Sequence, residues 1–302
     1  MNKQKITEQF TKFHDKNYKL ILLLPLVLLI FSSVYMFSFY KTNNDFFYKD
    51  ISLTGGTTVT INEEINVLQL KESISLKLDG VNIREISDPI SHKQIAVIVE
   101  TKSDEQQTRI VLEQALGYEL NLENSSFEFT GSTLGQDFYK QLLIAVCIAF
   151  ILMAIVVFIQ FKSIVPSLAV IYSAFADIFM TLVTVNLLKI PLSTAGIVAL
   201  LMLIGYSVDT DILLTNKVLK REGKPINTKI WESFKTGITM TLTSLFAVLA
   251  AFLIVGRFSS TLHQIFLIML LGLLFDIFNT WITNVSIIKW YALKKEKKSN
   301  EN

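Results

Sequence analysis

At 302 residues, 51% of them hydrophobic and only 18% charged, the chain is too apolar for an ordinary soluble domain and reads as a polytopic membrane protein. Its net charge of +2 gives no basis for nucleic-acid binding. The single cysteine, Cys147, lies in an apolar run, where it reads as inert packing, and excludes both a disulfide framework and a cysteine-rich metal site.

Crossing a hydrocarbon core takes about 20 apolar residues. The segment 1–19 is polar and rich in lysine, and the first span follows at about Leu20–Tyr40. That span is too long for a signal peptide, lacks a small-residue cleavage site and ends in aromatics (Phe37, Phe39, Tyr40), so it reads as a retained helix.

Residues 41–137 form a polar stretch with the pattern of a small folded domain. Thr57–Asn62 alternates as a strand, with Val59 and Ile61 on one face. Asn66–Asp79 carries Val67, Leu70, Ile74 and Leu78 at helical spacing and stops at Asp79-Gly80. Val81–Ser87 and Gln94–Glu100 read as strands, Ser103–Tyr118 as a helix opened by Ser-Asp-Glu, and Ser126–Thr130 as a last strand. The order β-α-β-β-α-β is the ferredoxin-like α+β pattern.

Residues 138–290 then supply five more spans, at about Phe138–Gln160, Ile164–Leu188, Leu192–Leu214, Gly237–Val255 and Leu262–Trp290. A charged tail, 291–302, closes the chain. With the N-terminus inside, 17 lysines and arginines fall on inner segments, Lys162, Lys217 and Lys289 among them, against Lys189 and Arg257 outside. This bias places both termini in the cytoplasm of a multi-pass cell-membrane protein and the 41–137 domain outside. The basic ends read as a topology signal and as contacts to anionic lipid of the bilayer.

The later spans carry polar residues at helical intervals. Ser173, Asp177, Thr181 and Thr184 share a face of the third; Ser207, Asp211 and Thr215 stack in the fourth. Thr236, Thr239 and Thr243 line the fifth, and Asp276, Asn279, Thr280, Thr283 and Asn284 line the sixth. Asp209 lies about 200° around the helix from Asp211, so the two acids cannot face one neighbour unless the helix breaks. Gly196, Ala199 and Gly205 are small enough to suit a central helix closely approached by others.

An acid at the bilayer centre costs about 2.5–3.5 kcal/mol on insertion scales. Asp177 and Asp276 fall near mid-span with no lysine, arginine or histidine in the interior of any span, which leaves them protonated, wet or sharing a proton. Asp209 and Asp211 sit roughly 25 Å from the outer end of their helix, where snorkelling lowers the cost. The set makes a candidate carrier of H⁺ or Na⁺; no other cofactor, no metal and no catalytic residue is expected. Blander readings accompany it: threonines that bond their own backbone or glue helices, Asp211 paired with Lys217, and His263 as an interfacial residue rather than a relay. No P-loop, HExxH or GxSxG is present, so no enzyme and no ATP hydrolysis is indicated.

Four strings carry a resemblance. "LTGGTTVTI" (Leu53–Ile61), with Gly55, Gly56 and Thr57, follows the first span; "VPSLAVIYSAFADIFMTL" (Val165–Leu182), "GYSVDTDILLTNKVLKR" (Gly205–Arg221, including Tyr206) and "LLFDIFNTWITNVSIIKWY" (Leu273–Tyr291) follow later. Together they resemble the archaeal SecF type of the SecD/SecF family, within the resistance–nodulation–division superfamily, over about residues 18–291.

The resemblance implies one half of a two-part transporter fold, partnered by a SecD-like subunit and the Sec translocon channel, that assists translocating polypeptides late in export. In bacterial relatives, proton flow driven by the proton-motive force is thought to move the outer domain. Asp177 falls where those relatives keep an aspartate. In the fourth span they read Gly-Tyr-Ser-Leu-Asn-Asp-Thr, with the acid at the position of Thr210; here acids flank that position at Asp209 and Asp211, a shift of about 100°.

The expectation is that the acids and hydroxyls of spans three to six form a polar seam against the partner's helices. Two rival readings are an ion-coupled small-molecule or lipid transporter of the same superfamily, and a passive translocon scaffold.

Overall fold

In a computed structural model, residues 21–88, 91, 93–220, 223–256 and 259–301 are described. The lysine-bearing segment 1–19 with His14, the predicted span start Leu20, and His92, Arg221 and Arg257 lie outside them. Among the described residues, six helices are long and apolar enough to cross a membrane.

Helix α1 (Leu23–Asn43) ends where Asn44 adopts a left-handed φ of 54° and its N–H bonds the Tyr40 carbonyl. A four-residue helix, α2 (Ile51–Thr54), capped by Asp50, leads into β1 (Gly56–Ile61). Then come α3 (Val67–Ile74), β2 (Asn82–Ser87), β3 (Gln94–Thr101), α4 (Glu105–Leu116) and β4 (Ser125–Thr130). Every pairing is antiparallel and the sheet order is β2-β3-β1-β4, the ferredoxin-like arrangement.

Alternation explains the sheet. Val59, Ile61, Val97 and Val99 point to one face and meet Leu70, Ile74, Val111 and Leu112 of the two helices. Each such fully buried aliphatic side chain stabilises by about 1.5–3 kcal/mol. The Asn66 side chain accepts from Leu68 and Gln69 N–H to start α3, and Asp104 accepts from Gln107 N–H to start α4.

The Gly-Gly-Thr string sits at the base of this domain. Gly56 has φ +144°, and a Cβ there would lie 2.3 Å from the Thr101 carbonyl oxygen. A Cβ on Gly55, at φ +83°, would lie 2.4 Å from Ser132 Cα. The pair thus lets β1 leave α2 while the next membrane helix passes at backbone contact. Thr57 Oγ1 donates to the Ser103 carbonyl at 2.8 Å and is buried.

The bundle follows: α5 (Ser132–Phe161), α6 (Ile164–Leu187), α7 (Thr194–Lys220), α8 (Ile226–Val255) and α9 (Ser260–Phe278). The last continues through a π-helical stretch, Asn279–Asn284, into α10 (Val285–Glu301). Only Lys162, at φ 50°, and Ser163 separate α5 from α6. The most enclosed helices are α6 and α7, whereas α5 and α8 turn apolar side chains outward, Cys147 among the exposed residues. Gly272 permits the tightest approach: a Cβ there would lie 2.2 Å from Leu203 Cδ1.

Several boundaries differ from the sequence reading; α7, for one, runs to Lys220 rather than Leu214. Helix α5 begins at Ser132, inside the stretch assigned to the 41–137 domain, because its polar first turns pack against Gly55. Helix α8 begins at Ile226 rather than Gly237; Lys229, Glu232 and Lys235 hid its first turns as loop. The residues 291–302, read as a tail, are helical through Glu301.

A polar strut fastens the sheet domain to the loop between α6 and α7. Asp50 N–H donates to the Leu192 carbonyl at 3.0 Å and Leu192 N–H to the Tyr48 carbonyl at 2.7 Å. Tyr48 N–H donates to Asn186 Oδ1 at 3.0 Å, and Thr194 N–H to Ser52 Oγ at 3.1 Å. Beside it Arg84 pairs with Glu100 and lies 4.0 Å from Asp50. Burial draws the Arg84 guanidinium below its ordinary pKa, and Asp50 pulls the other way.

Replacing Gly56 by Ala forces a side chain into both a glycine conformation and the Thr101 carbonyl. The expected loss is on the order of 1–3 kcal/mol, read as a lower melting temperature of the detergent-solubilised protein.

Candidate functional site

Three helices bring polar side chains to one place inside the bundle. From α6 comes Asp177; from α7 come Ser207, Asp211 and Thr215; from the sixth helix come Asp276, Asn279, Thr280, Thr283 and Asn284. All nine are buried. The four-residue spacing on α7 does this directly, since every fourth residue returns to the same face. In the sixth helix the four inward residues at 279, 280, 283 and 284 all fall in the π-helical stretch, which is wider than an α-helical turn.

The hydrogen bonds form two linked groups. Asp177 accepts from Ser207 Oγ at 2.6 Å on one oxygen and from Asn279 Nδ2 at 2.6 Å on the other. Thr283 Oγ1 lies 3.5 Å from Asn279 Oδ1 behind it. Asp211 Oδ1 accepts from Asn284 Nδ2 at 2.7 Å and lies 2.8 Å from Thr280 Oγ1. The same Thr280 oxygen lies 3.2 Å from Asp276 Oδ1. Among the described residues, no cation pairs with any of the three carboxyls.

Proton counting gives this arrangement its chemistry. A threonine hydroxyl has one proton to donate and lone pairs to accept with. When Thr280 donates to Asp211, its contact with Asp276 is a hydrogen bond only if Asp276 carries a proton and donates it. When the roles reverse, Asp211 carries the proton. Thr280 can thus bridge the two carboxyls with the proton on either of them. Asp211 Oδ2, Asp276 Oδ2, Asn284 Oδ1, Thr215 Oγ1 and Ser173 Oγ are buried with no protein partner. Among the described residues, no group of three or more His, Cys, Asp or Glu side chains is placed to hold a metal ion.

The geometry corrects several expectations. Asp209 is exposed and takes no part in the cluster; it lies on the outward face of α7 with Val198, Met202, Gly205 and Tyr206. Gly205 meets no atom within 4 Å of an added Cβ, so within this chain it serves no close packing, unlike Gly196. Thr236, Thr239 and Thr243 are exposed too, each bonding the carbonyl four residues back. Thr181 and Thr184 also bond back, to Asp177 and Met180 carbonyls. The buried acids and hydroxyls thus bond one another within this chain, while Asp209, Thr236, Thr239 and Thr243 face outward. Lys217 Nζ turns to Thr236 Oγ1 at 2.8 Å, and Asp211 is held by the sixth helix. His263 stacks on Phe252, ring centroids 4.2 Å apart.

Among the buried polar residues that sequence reasoning missed are Asn186, Thr210, Gln264 and Lys289. Asn186 and Gln264 anchor helix ends, the latter donating to the Pro191 carbonyl at 2.5 Å and accepting from Ser193. Thr210, where the resemblance puts the bacterial acid, packs toward Gly237. Lys289, assigned to the solvated inner charges, is buried. An amide or lysine amid apolar residues was the available signal for three of them.

Comparison with known proteins agrees with this architecture. The family model for protein export membrane protein SecD/SecF, C-terminal, matches residues 111–294. The protein-export membrane protein SecF of Methanocaldococcus jannaschii is 38% identical over 292 residues, covering 94% of this chain and 99% of that one. SecF of Pyrococcus furiosus is 32% identical, with 97% of each chain covered. The crystal structure of SecDF, a translocon-associated membrane protein from Thermus thermophilus, matches with a TM-score of 0.73 at 19% identity, a likeness of fold. That match covers 91% of this chain and 38% of the SecDF chain. On the family match and on relatives above 30% identity along nearly its whole length, the chain belongs to the SecF family of protein-export membrane proteins.

Proposed function

We propose that this chain is an auxiliary subunit of the Sec export machinery that acts with a SecD-like partner at the translocon channel, and that proton movement through Asp211, Thr280 and Asp276 drives its sheet domain. The observation that carries the reading is the one Thr280 hydroxyl between two buried carboxyls. Which of the two carboxyls holds the proton decides which helix carries the charge.

The strut supplies the route outward. Asp177 and Asp211 sit on α6 and α7, and the loop joining those helices is hydrogen-bonded to residues 48–52 at the base of the sheet domain. A shift of α7 against the sixth helix tilts that loop and with it the domain. A charge crossing 100 mV supplies about 2.3 kcal/mol, enough to bias a domain nearly balanced between two positions. The lysine distribution puts both termini in the cytoplasm and the sheet domain outside, where emerging polypeptide is met. The outward stripe of α7, from Val198 to Asp209, docks the SecD-like partner; it is the open face of an otherwise enclosed helix.

Three outcomes test this reading. Pulse-chase export assays with the full complex should show Asp211→Asn and Thr280→Val reduced to the level seen with the proton gradient collapsed, while Asp209→Asn keeps its gradient dependence. Thr280→Val should also lower stability by about 1–3 kcal/mol in a melt, having removed a partner from a buried acceptor. Normal export by all three variants would leave a passive scaffold, and a response to Na⁺ alone would replace the proton.

Asn186→Leu, which removes one of the strut's four hydrogen bonds without touching the carboxyls, should weaken gradient-dependent export yet still co-purify with the SecD-like subunit. Gly205→Phe should do the opposite: unchanged melting of the isolated chain, because no neighbour is met, and weakened co-purification.

A further inference from the structure

Two cavities adjoin at the lysine-rich end of the bundle. One, of about 260 Å³, lies between Val165 at the start of α6 and Trp290, Tyr291, Lys294, Lys295 and Lys298 on α10. The other, of about 560 Å³, shares Lys295 and adds Lys224, Lys229 and Glu296. Helical spacing builds the first: Trp290, Lys294 and Lys298 recur every four residues, with Tyr291 and Lys295 in the neighbouring row. The Lys294 ammonium lies 5.3 Å from the Trp290 ring centroid.

The two cavities differ in how their charge is used. In the larger, Lys224 pairs with Glu232 at 2.5 Å and Lys229 Nζ reaches the Val218 carbonyl. In the smaller, no ion pair among the described residues engages Lys294, Lys295 or Lys298. Three ammonium groups line one small cavity with no carboxylate among its lining residues. Apolar side chains are exposed next to it in sequence: Ile164 beside Val165 is 70% exposed, and Trp290 and Leu293 are exposed as well.

A ligand that meets both features has an anionic head and hydrocarbon chains. We propose that this cavity is a binding site for an anionic phospholipid, with its phosphate held by Lys294, Lys295 and Lys298 and its chains lying along Ile164 and Leu293. The indole and phenol rings of Trp290 and Tyr291 sit at headgroup depth, where such rings are favoured. A free phosphate would use the same ammonium groups but leave the exposed apolar side chains without purpose. An acidic peptide would meet hydrocarbon where it needs water.

Native mass spectrometry of the full chain released from nanodiscs of mixed phosphatidylglycerol and phosphatidylcholine reads which lipid stays bound. Wild type is expected to retain phosphatidylglycerol roughly tenfold over its share of the mixture. Joint Lys294→Ala, Lys295→Ala and Lys298→Ala should bring retention down to that share, and the same change at Lys71, Lys77 and Lys102 on the sheet domain should not. Retention persisting in the first variant overturns the proposal. Displacement of the lipid by added inorganic phosphate assigns the site to the free anion and overturns it as well. If the first variant does not fold, tryptophan quenching in wild type decides: stronger quenching by brominated phosphatidylglycerol than by brominated phosphatidylcholine supports the site, and equal quenching refutes it.

Discussion

The Thr280 hydroxyl touches two buried carboxyls, and among the described residues no cation balances either of them. Buried acids are tolerable only while every charge is hydrogen-bonded or neutralised. Here Asn279 and Asn284 each spend an amide on one carboxyl, and Ser207 spends a hydroxyl. Those donors must hold position to a few tenths of an ångström, which requires α7 to lie close against the sixth helix. Gly272 beneath Leu203 provides that closeness.

The same economy governs the route to the outside. A carboxyl pair that changes state deep in the bundle has influence elsewhere only through something stiff. Helices α6 and α7 are stiff, and their connecting loop together with the two helix ends it joins is fastened by four hydrogen bonds to the segment before the sheet. At the other side of the sheet, β4 is followed by Gly131 and then directly by α5, so the domain is held at two points. The glycines at 55 and 56 lie where those two attachments meet.

Much of this was legible in the residues. Period-two alternation located the first strand and β-branched apolar content the third, while helical spacing marked one helix and the Ser-Asp-Glu start the other. Four-residue spacing placed Ser207, Asp211 and Thr215 on one face. What spacing left open was which side of α7 faced inward, since Asp209 and Asp211 lie on opposite sides and both precede a hydroxyl-bearing turn. Depth was no guide either, because the cluster is enclosed by this chain's own helices and not by a second subunit. The π-helical stretch has no signature in Asn279–Asn284, and the charged first turns of α8 resembled a loop by composition alone. Lys289 looked like one more solvated lysine until the packing around it was known.

The order of strands in the sheet has a consequence for biosynthesis. β1 is the first strand to leave the ribosome, yet it occupies the middle of the sheet and pairs with β3 and β4. Its edge toward β3 can close once residue 101 has emerged, but its edge toward β4 stays open until residue 130 has, and only one glycine later the next helix begins. Completion of the sheet and insertion of α5 are therefore consecutive events on one nascent chain, and a delay in either leaves one edge of the central strand unpaired.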